Sequence, residues 1–445
     1  MNKRIVFRTL TVVALLLAAM PLSAGGGKDE TSGSESSREA AQPQQQAQTS
    51  QKISEPLTEA NFEYIQNKQG FITITAYKNE KESGIRDLVI PAQIQGINVT
   101  EIAGNAFAKG SPPMNWTTER PPQPIDEYHL SDRGEVFESV TIPPTVTSIG
   151  PQAFINRGIK TLVLPDSVRT IGAYAFAKNQ LSSVTLSNVT EIGEFAFFEN
   201  QLSSVTWPVN IKEIPRMAFA RNQLASIVIP SSVTQIGVGA FGGNKLTELT
   251  IPENVTSIGA CAFAANWISK LTFSNSGKLT SIGIAAFSKN QLRSVVLPEG
   301  LTSIGSGTRV EFRSIFERQG GDMNLGEYFS VSASDGILGG NNSLSYIKLP
   351  STLRRGEGNR NYRPILRDKV IRAIEWLQPN TSMFDNIGMT DALKIGDNIS
   401  AEVSSELGAG FTNFYASQGK KAGIYMRRGQ LWIIGTQEEF DALIP

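Results

Sequence analysis

The chain has 445 residues, and its 41 Lys and Arg balance its 41 Asp and Glu, so the formal net charge is zero. This balance provides no general electrostatic attraction to nucleic acid, and no nucleic-acid partner is predicted. The single cysteine, Cys261, and the single histidine, His129, exclude an internal disulfide, a Cys- or His-based zinc site and a Cys–His catalytic pair. Cys261 stands between small apolar residues, so we interpret it as a buried hydrophobe rather than a reactive thiol.

The first 24 residues have the pattern of a secretory signal peptide. Three cations precede an apolar run from Leu10 to Met20, and small residues for cleavage end at Ala24. Residues 25–52 are rich in Gly, Ser, Gln and charge, which predicts a flexible linker. No later apolar run is long enough to span a bilayer, so no transmembrane segment is predicted in the mature chain. We therefore expect an exported protein at the cell surface or outer envelope, in the periplasm, or secreted.

A unit of about 22 residues recurs through the middle of the chain, and it is the main signal for the fold. Each unit has an apolar strand pattern, then Ile-Gly, then Ala-Phe, then Asn, as in Leu181–Asn200. A single unit of this length cannot bury its own apolar face, so successive units must stack as a solenoid. The residues of each strand alternate between the core and solvent, which predicts a parallel β-sheet on one face.

The same pattern sets the predicted domain boundaries. Residues 53–107 read as an N-terminal cap with a first degenerate repeat, 108–134 as a Pro-rich insertion, and 135–350 as the solenoid, irregular after 305. Residues 351–445 read as a small C-terminal α+β module. Its helix is predicted from the spacing of Leu366, Val370, Ala373, Ile374 and Leu377, and its hairpin from the strands 424–426 and 431–433.

The outward positions of the predicted sheet are mostly Ser, Thr and Val, and they form the candidate binding surface. They are Ser183, Thr185, Ser204, Thr206, Ser226, Val228, Glu248, Thr250, Lys270, Thr272, Ser294 and Val296. Thr also suits strands in general, so the column of Thr residues alone is weak support for an ice-binding surface.

Two other repeated positions receive structural interpretations. Pro215 replaces the repeated Gly in one unit, which is incompatible with a left-handed conformation there, so the Ile-Gly segment is predicted to begin a short helical or 3₁₀ turn. The repeated Asn is interpreted as a side chain that satisfies backbone groups of its own and the adjacent coil, rather than as a row of ligands.

The repeat L-x-x-V/I-x-L/I-P-x-x-V-T-x-I-G-x-x-A-F-x-x-N resembles the treponemal-type leucine-rich repeat of BspA-like bacterial surface proteins. The resemblance covers roughly 71–305 and 344–350. It implies a leucine-rich repeat solenoid, export to the cell envelope and attachment to host matrix proteins or to other cells. It supplies no catalytic residues.

The predicted function is therefore adhesin-like binding of a protein or glycan on another surface through the sheet face, without catalysis, cofactor or metal. The alternative is a periplasmic structural or scaffold protein whose repeats space the C-terminal module. An enzyme would need its chemistry in residues 306–445, where no motif positions a pair of carboxylates. Seven cations between Arg354 and Glu375 are open to two interpretations, a solvated face or a site for anionic glycan or membrane. The sequence does not indicate an oligomeric state.

Overall fold

The computed structural model describes most of the chain after residue 56. The longer described stretches are 57–78, 85–108, 137–274, 278–305, 336–350, 409–418, 422–428 and 431–445, with short strands between 366 and 395. They belong to one compact unit, Ser54–Pro445. The predicted signal peptide and linker lie outside the described residues, as does the predicted insertion after Ala108.

An antiparallel hairpin stands at the N-terminal end of the stack. A 3₁₀ turn at Glu59–Asn61 leads into five strands: β1 (Phe62–Gln66), β2 (Ile72–Tyr77), β3 (Asp87–Val89), β4 (Gln93–Ile94) and β5 (Ile97–Ile102). β1 pairs antiparallel with β2, and β2 pairs parallel with β5. The strand predicted at 71–77 is confirmed.

Each later coil contributes a face strand, which carries the predicted outward positions, followed by an Ile-Gly strand. The pairs are β6 (Ser139–Thr141) and β7 (Ser148–Ile149), β8 (Thr161–Val163) and β9 (Thr170–Ile171), β10 (Ser183–Thr185) and β11 (Glu191–Ile192), β12 (Ser204–Thr206) and β13 (Glu213–Ile214), β15 (Glu248–Ile251) and β16 (Ser257–Ile258), β17 (Lys270–Phe273) and β18 (Ser281–Ile282), and β19 (Ser294–Val296) and β20 (Ser303–Ile304). One further Ile-Gly strand, β14 (Gln235–Ile236), follows a segment at 225–229 with no strand. The solenoid thus has two columns of parallel strands, which confirms its predicted architecture.

The predicted helical turns are wrong in detail. The Ile-Gly segments pair as parallel strands, and the residues after them form tight turns instead of helices. The residue before each Ala-Phe has φ between 54° and 63° in the coils of Tyr174, Phe195, Met217, Gly239, Cys261 and Ala285. A left-handed residue ends any right-handed helix. The amides of Phe195, Phe197 and Glu199 donate to carbonyls in the next coil rather than four residues back.

A stack of phenylalanine rings runs through the core. Successive rings have centroids 4.6 to 5.9 Å apart and interplanar angles of 1° to 16°. This offset stacked geometry is one that aromatic pairs prefer. The rings belong to Phe107, Phe154, Phe176, Phe197, Phe219, Phe241, Phe263 and Phe287. All eight side chains are buried. Each repeat therefore adds one ring to a core that no single coil could close.

Both strand columns are interrupted near one atypical coil, and the face column also breaks between β8 and β10 and between β17 and β19. Pro215 has no amide to donate to Ile192, whereas Gly237 donates to Ile214 at 2.8 Å, and β11 does not pair with β13. In the same coil, Trp207 lies at the inward strand position that Leu186 occupies in the preceding coil. Its ring contacts Phe219 and also Phe241 of the next coil, 6.2 Å away, beneath the segment at 225–229 that is not a strand.

The face column continues beyond the regular repeats. The remaining elements are β21 (Tyr346–Leu349), β22 (Leu366–Arg367), β23 (Ala373–Trp376), β24 (Phe384–Asp385), β25 (Ala392–Ile395), α1 (Ala409–Ser417), β26 (Gly423–Arg428), β27 (Leu431–Ile434) and α2 (Gln437–Asp441). One sheet runs β19-β21-β23-β25-β26-β27, parallel up to β25 and antiparallel after it.

The C-terminal predictions have mixed outcomes. The hairpin is confirmed as β26 and β27. The helix over 366–377 is wrong, because its described parts are the strands β22 and β23. Ile374 is buried in register between Ile347 and Leu393, so pairing with neighbouring strands overrides a short apolar pattern that fits either period. The domain boundary at 351 stays a prediction, although the sheet runs across it.

Candidate interaction surface

The predicted surface residues point outward in two columns along the face strands. Eleven of the twelve are exposed, and Ser294 is half-buried. Ser183 lies opposite Ser204 and Thr185 opposite Thr206 in one parallel pair. Ser226 and Val228 are exposed too, but they lie on the segment that is not a strand. The columns are thus continuous as a surface, while the hydrogen-bond ladder beneath them is interrupted.

The surface extends further toward the N-terminus than the sequence predicted. β3, β6 and β8 present three more rows with the same alternation: Asp87 and Val89, Ser139 and Thr141, and Thr161 and Val163. The alternation of outward and buried residues was the signal for these rows, but the predicted surface began only at Ser183. We call the two columns from β3 to β19 the sheet face.

The sheet face is smooth and carries few charged side chains: Asp87, Glu248 and Lys270. Its side chains are mainly hydroxyls, interrupted by four exposed valines: Val89, Val163, Val228 and Val296. Glu248 and Lys270 lie opposite each other, with Lys270 Nζ 3.9 Å from Glu248 Oε2, and both side chains are about 70% exposed. An ion pair this exposed contributes little to stability, so both charges remain available to a partner.

The C-terminal helix α2 closes one end of the sheet face. Tyr346 pairs in register with Ser294 and so continues the same column, yet Tyr346 is buried. The ring of Phe440 lies 6.4 Å from the ring of Tyr346, and Met426 completes this small cluster. The sheet face therefore ends at β19.

The repeated Asn side chains bond to backbone groups of two coils, as the sequence predicted. Asn200 donates to the carbonyls of Phe176 and Phe197 at 2.9 and 3.2 Å, and its Oδ1 accepts from the amide of Leu181. The same bonds recur at Asn179, Asn222, Asn244, Asn266 and Asn290. Asn341, which the sequence analysis missed, extends the series after the irregular region. These side chains are buried and consumed by backbone contacts.

The other candidate chemical groups do not converge on a site. Cys261 is a fully buried thiol, in agreement with its interpretation as a hydrophobe. His129 and most of the cationic segment after Arg354 lie outside the described residues. Within the described stretches, no three His, Cys, Asp or Glu residues are grouped to hold a metal ion. No described helix is long and apolar enough to cross a membrane.

The repeated coil, with its Phe stack and its Asn bridges, is matched by a known family. The model of the BspA type leucine rich repeat region matches residues 100–224 and 212–314 with six copies. Residues 100–314 form a BspA-type leucine-rich repeat region. The resemblance seen in the sequence is therefore confirmed, and the family is a protein-interaction scaffold by architecture.

Three solved structures are similar to half or more of this chain. A leucine rich cell surface protein of Faecalibacterium prausnitzii is 20% identical, over 67% of this chain and 89% of that one, with a TM-score of 0.32. The pneumococcal vaccine antigen PcpA is 17% identical, over 76% and 80%, with a TM-score of 0.43. A leucine rich repeat protein of T. pallidum is 21% identical, over 52% and 87%, with a TM-score of 0.32. No curated relative matches the chain.

Proposed function

We propose that this protein is exported and binds a protein on another surface through the sheet face, without catalysing a reaction. The observation that carries the proposal is the pair of outward-facing columns from β3 to β19, whose side chains are mostly exposed Ser, Thr and Val. Stacked repeats of this kind create extended binding surfaces rather than pockets.

The size of the sheet face suits a macromolecular partner. Nine coils at a strand spacing of about 4.8 Å give a length on the order of 40 Å. A standard protein interface buries about 800 Å² on each partner, which needs most of such a face. Because the side chains are short, affinity would come from area and shape, with the Glu248–Lys270 pair fixing the register.

The scaffold alternative treats the repeats as a spacer for a separate C-terminal module. The continuous sheet from β19 to β27 supports the binding proposal instead, since the hairpin shares a hydrogen-bonded sheet with β19, a face strand of the regular repeats. Protease treatment of intact cells distinguishes the two functions. A surface protein is degraded, whereas a periplasmic scaffold survives until the cells are opened.

The binding test adds charge and bulk to the middle of the sheet face. The triple variant Thr206→Arg, Val228→Arg, Thr250→Arg is compared with the control Gln235→Arg, Ser257→Arg, Ser281→Arg, which adds the same charge on the Ile-Gly strands. Binding to an immobilised extracellular-matrix extract and to intact neighbouring cells is measured by biolayer interferometry and by cell counting. We expect the face variant to lose at least about tenfold in affinity, about 1.4 kcal/mol, and the control to retain it. Equal binding by the two variants would remove the sheet face as the site.

A further inference from the structure

The last strand of the sheet, β27, has an open edge. β27 pairs with β26 on one side, and no strand of the described chain pairs with its other side. Its sequence, Leu431-Trp-Ile-Ile434, contains no charge and no proline. Leu431 is 71%, Ile433 38% and Ile434 65% exposed. Protein sheets usually protect such an edge with lysine, proline or a covering element, because it is a template for another strand.

The hydrogen-bonding direction along β27 follows from its register with β26. The amide of Gly435 donates to the carbonyl of Ile424 at 2.8 Å, so Ile433 and Leu431, two and four residues earlier, also direct their backbone groups toward β26. The backbone groups of Trp432 and Ile434 therefore point toward the open side. They offer two donors and two acceptors to an incoming strand.

We propose that this edge pairs with β27 of a second copy of the chain, antiparallel and across a two-fold axis at Ile433. In that register Trp432 lies opposite Ile434 of the partner subunit, and each pair can exchange both of its backbone hydrogen bonds. Ile433 lies opposite Ile433 of the partner subunit in the closely spaced, non-hydrogen-bonded position. A strand that is apolar on both faces requires a partner of the same character, and β27 itself meets that requirement.

Two-fold symmetry presents the same strand edge of both copies to each other, which requires the antiparallel arrangement. The Arg428 guanidinium is paired with the Glu439 carboxylate of its own chain at 2.8 Å, so this pair adds no attraction between the copies. The two-fold contact also uses the β27 edge completely. Assembly therefore stops at two copies, and the sheet faces are left uncovered.

The size of the contact sets its strength. One short strand with three exposed apolar residues is smaller than the roughly 800 Å² per partner of a standard interface. The dimer is therefore a weak, concentration-dependent one. The inference is independent of the binding role of the sheet face, because the two surfaces share no residue.

A pair of cysteine variants of the mature chain tests the register. The Cys261 thiol is buried, so it adds little background. Ile433→Cys places two thiols opposite each other across the axis, within the Cα separation of at most about 7 Å that a disulfide allows. Leu431→Cys is the matched control, because in this register the two residues 431 are about 13 Å apart along the strands. After mild oxidation we expect a covalent dimer from Ile433→Cys, at about ten times the yield of Leu431→Cys.

Sedimentation equilibrium across a micromolar to submillimolar series provides the second measurement. We expect the wild-type chain to dimerise as its concentration rises. Ile434→Lys should weaken the dimer at least about tenfold, and Val209→Lys, at an exposed apolar position away from β27, should leave it unchanged. Circular dichroism verifies that both variants are folded. A wild-type chain that stays monomeric, equal cross-linking by the two cysteine variants, or larger polydisperse assemblies would overturn the proposal.

Discussion

The side chain of Asn222 donates a hydrogen bond to the carbonyl of Phe197 in the preceding coil, over 3.0 Å. The same amide nitrogen also donates to Phe219 and Ala220 in its own coil, at 3.1 and 3.2 Å. Its oxygen accepts from the amide of Leu202 at 2.9 Å. One buried side chain therefore satisfies backbone groups on two coils at the point where the Phe stack passes between them.

Replacing this side chain should destabilise the protein. Asn222→Ala leaves buried backbone donors and acceptors without partners, and each such group costs about 1 to 3 kcal/mol. We expect a loss of about 3 kcal/mol in the free energy of unfolding, measured by urea denaturation followed by circular dichroism. Gln223→Ala, at the exposed neighbouring position, is the control and should unfold like the wild type. Equal midpoints for the two variants would contradict the bridging role.

The two glycines of one turn should respond differently to the same substitution. A Cβ at Gly237 would lie 2.6 Å from the amide nitrogen of Arg216, so Gly237→Ala forces two coils apart. Gly239 has φ of 63°, but Cys261 and Ala285 hold the same conformation in later coils. Gly239→Ala should therefore cost about 1 kcal/mol, and Gly237→Ala about 3 kcal/mol or more. Thermal unfolding of the two variants measures the difference, and a reversed order would show that coil contact does not limit this position.

The sequence predicted the coil because its signals are local. Strand alternation at Leu181, Val184 and Leu186, the buried Phe and the bridging Asn each follow from residue type at a fixed spacing. The outward-facing residues were predictable as well, because the side chains between inward-facing strand residues must point to solvent. Their place on a binding surface remains a proposal.

The turn and the C-terminal part escaped prediction because neighbours determine them. Phe195 and Glu199 adopt left-handed conformations that neither residue prefers, since their amides bond to the next coil. Ile374 lies in a strand because Ile347 stands beside it in the sheet. The burial of Tyr346 depends on Phe440, almost a hundred residues later, and no local pattern relates the two.

Restoring glycine at the atypical coil should join the two Ile-Gly sheets. Pro215→Gly introduces an amide where Gly193 and Gly237 each donate to the isoleucine carbonyl of the preceding coil, at 2.7 and 2.8 Å. We expect the new amide to bond to Ile192 and to exchange slowly with solvent deuterium. Hydrogen exchange read by NMR compares it with the amide of Gly237. Rapid exchange at position 215 would show that another feature, such as the Trp207 ring, keeps the two sheets apart.

Acid should loosen the contact that closes the sheet face. The amide of Thr436 donates to the Glu439 carboxylate at 2.9 Å, and this bond, with a smaller effect of Arg428 at 2.8 Å, lowers the pKa of Glu439 below its ordinary value. A lowered pKa in the folded state means that the carboxylate stabilises α2 at any pH above the ordinary Glu value of about 4.3. This stabilisation is lost as the pH falls through the lowered pKa. We expect the amide resonance of Thr436 to titrate in that acid range and the Tyr346–Phe440 contact to weaken with it, measured by NMR. Glu439→Gln removes the titrating group, so its Thr436 resonance should stay constant. A titration that persists in Glu439→Gln would show that Glu439 is not the group responsible.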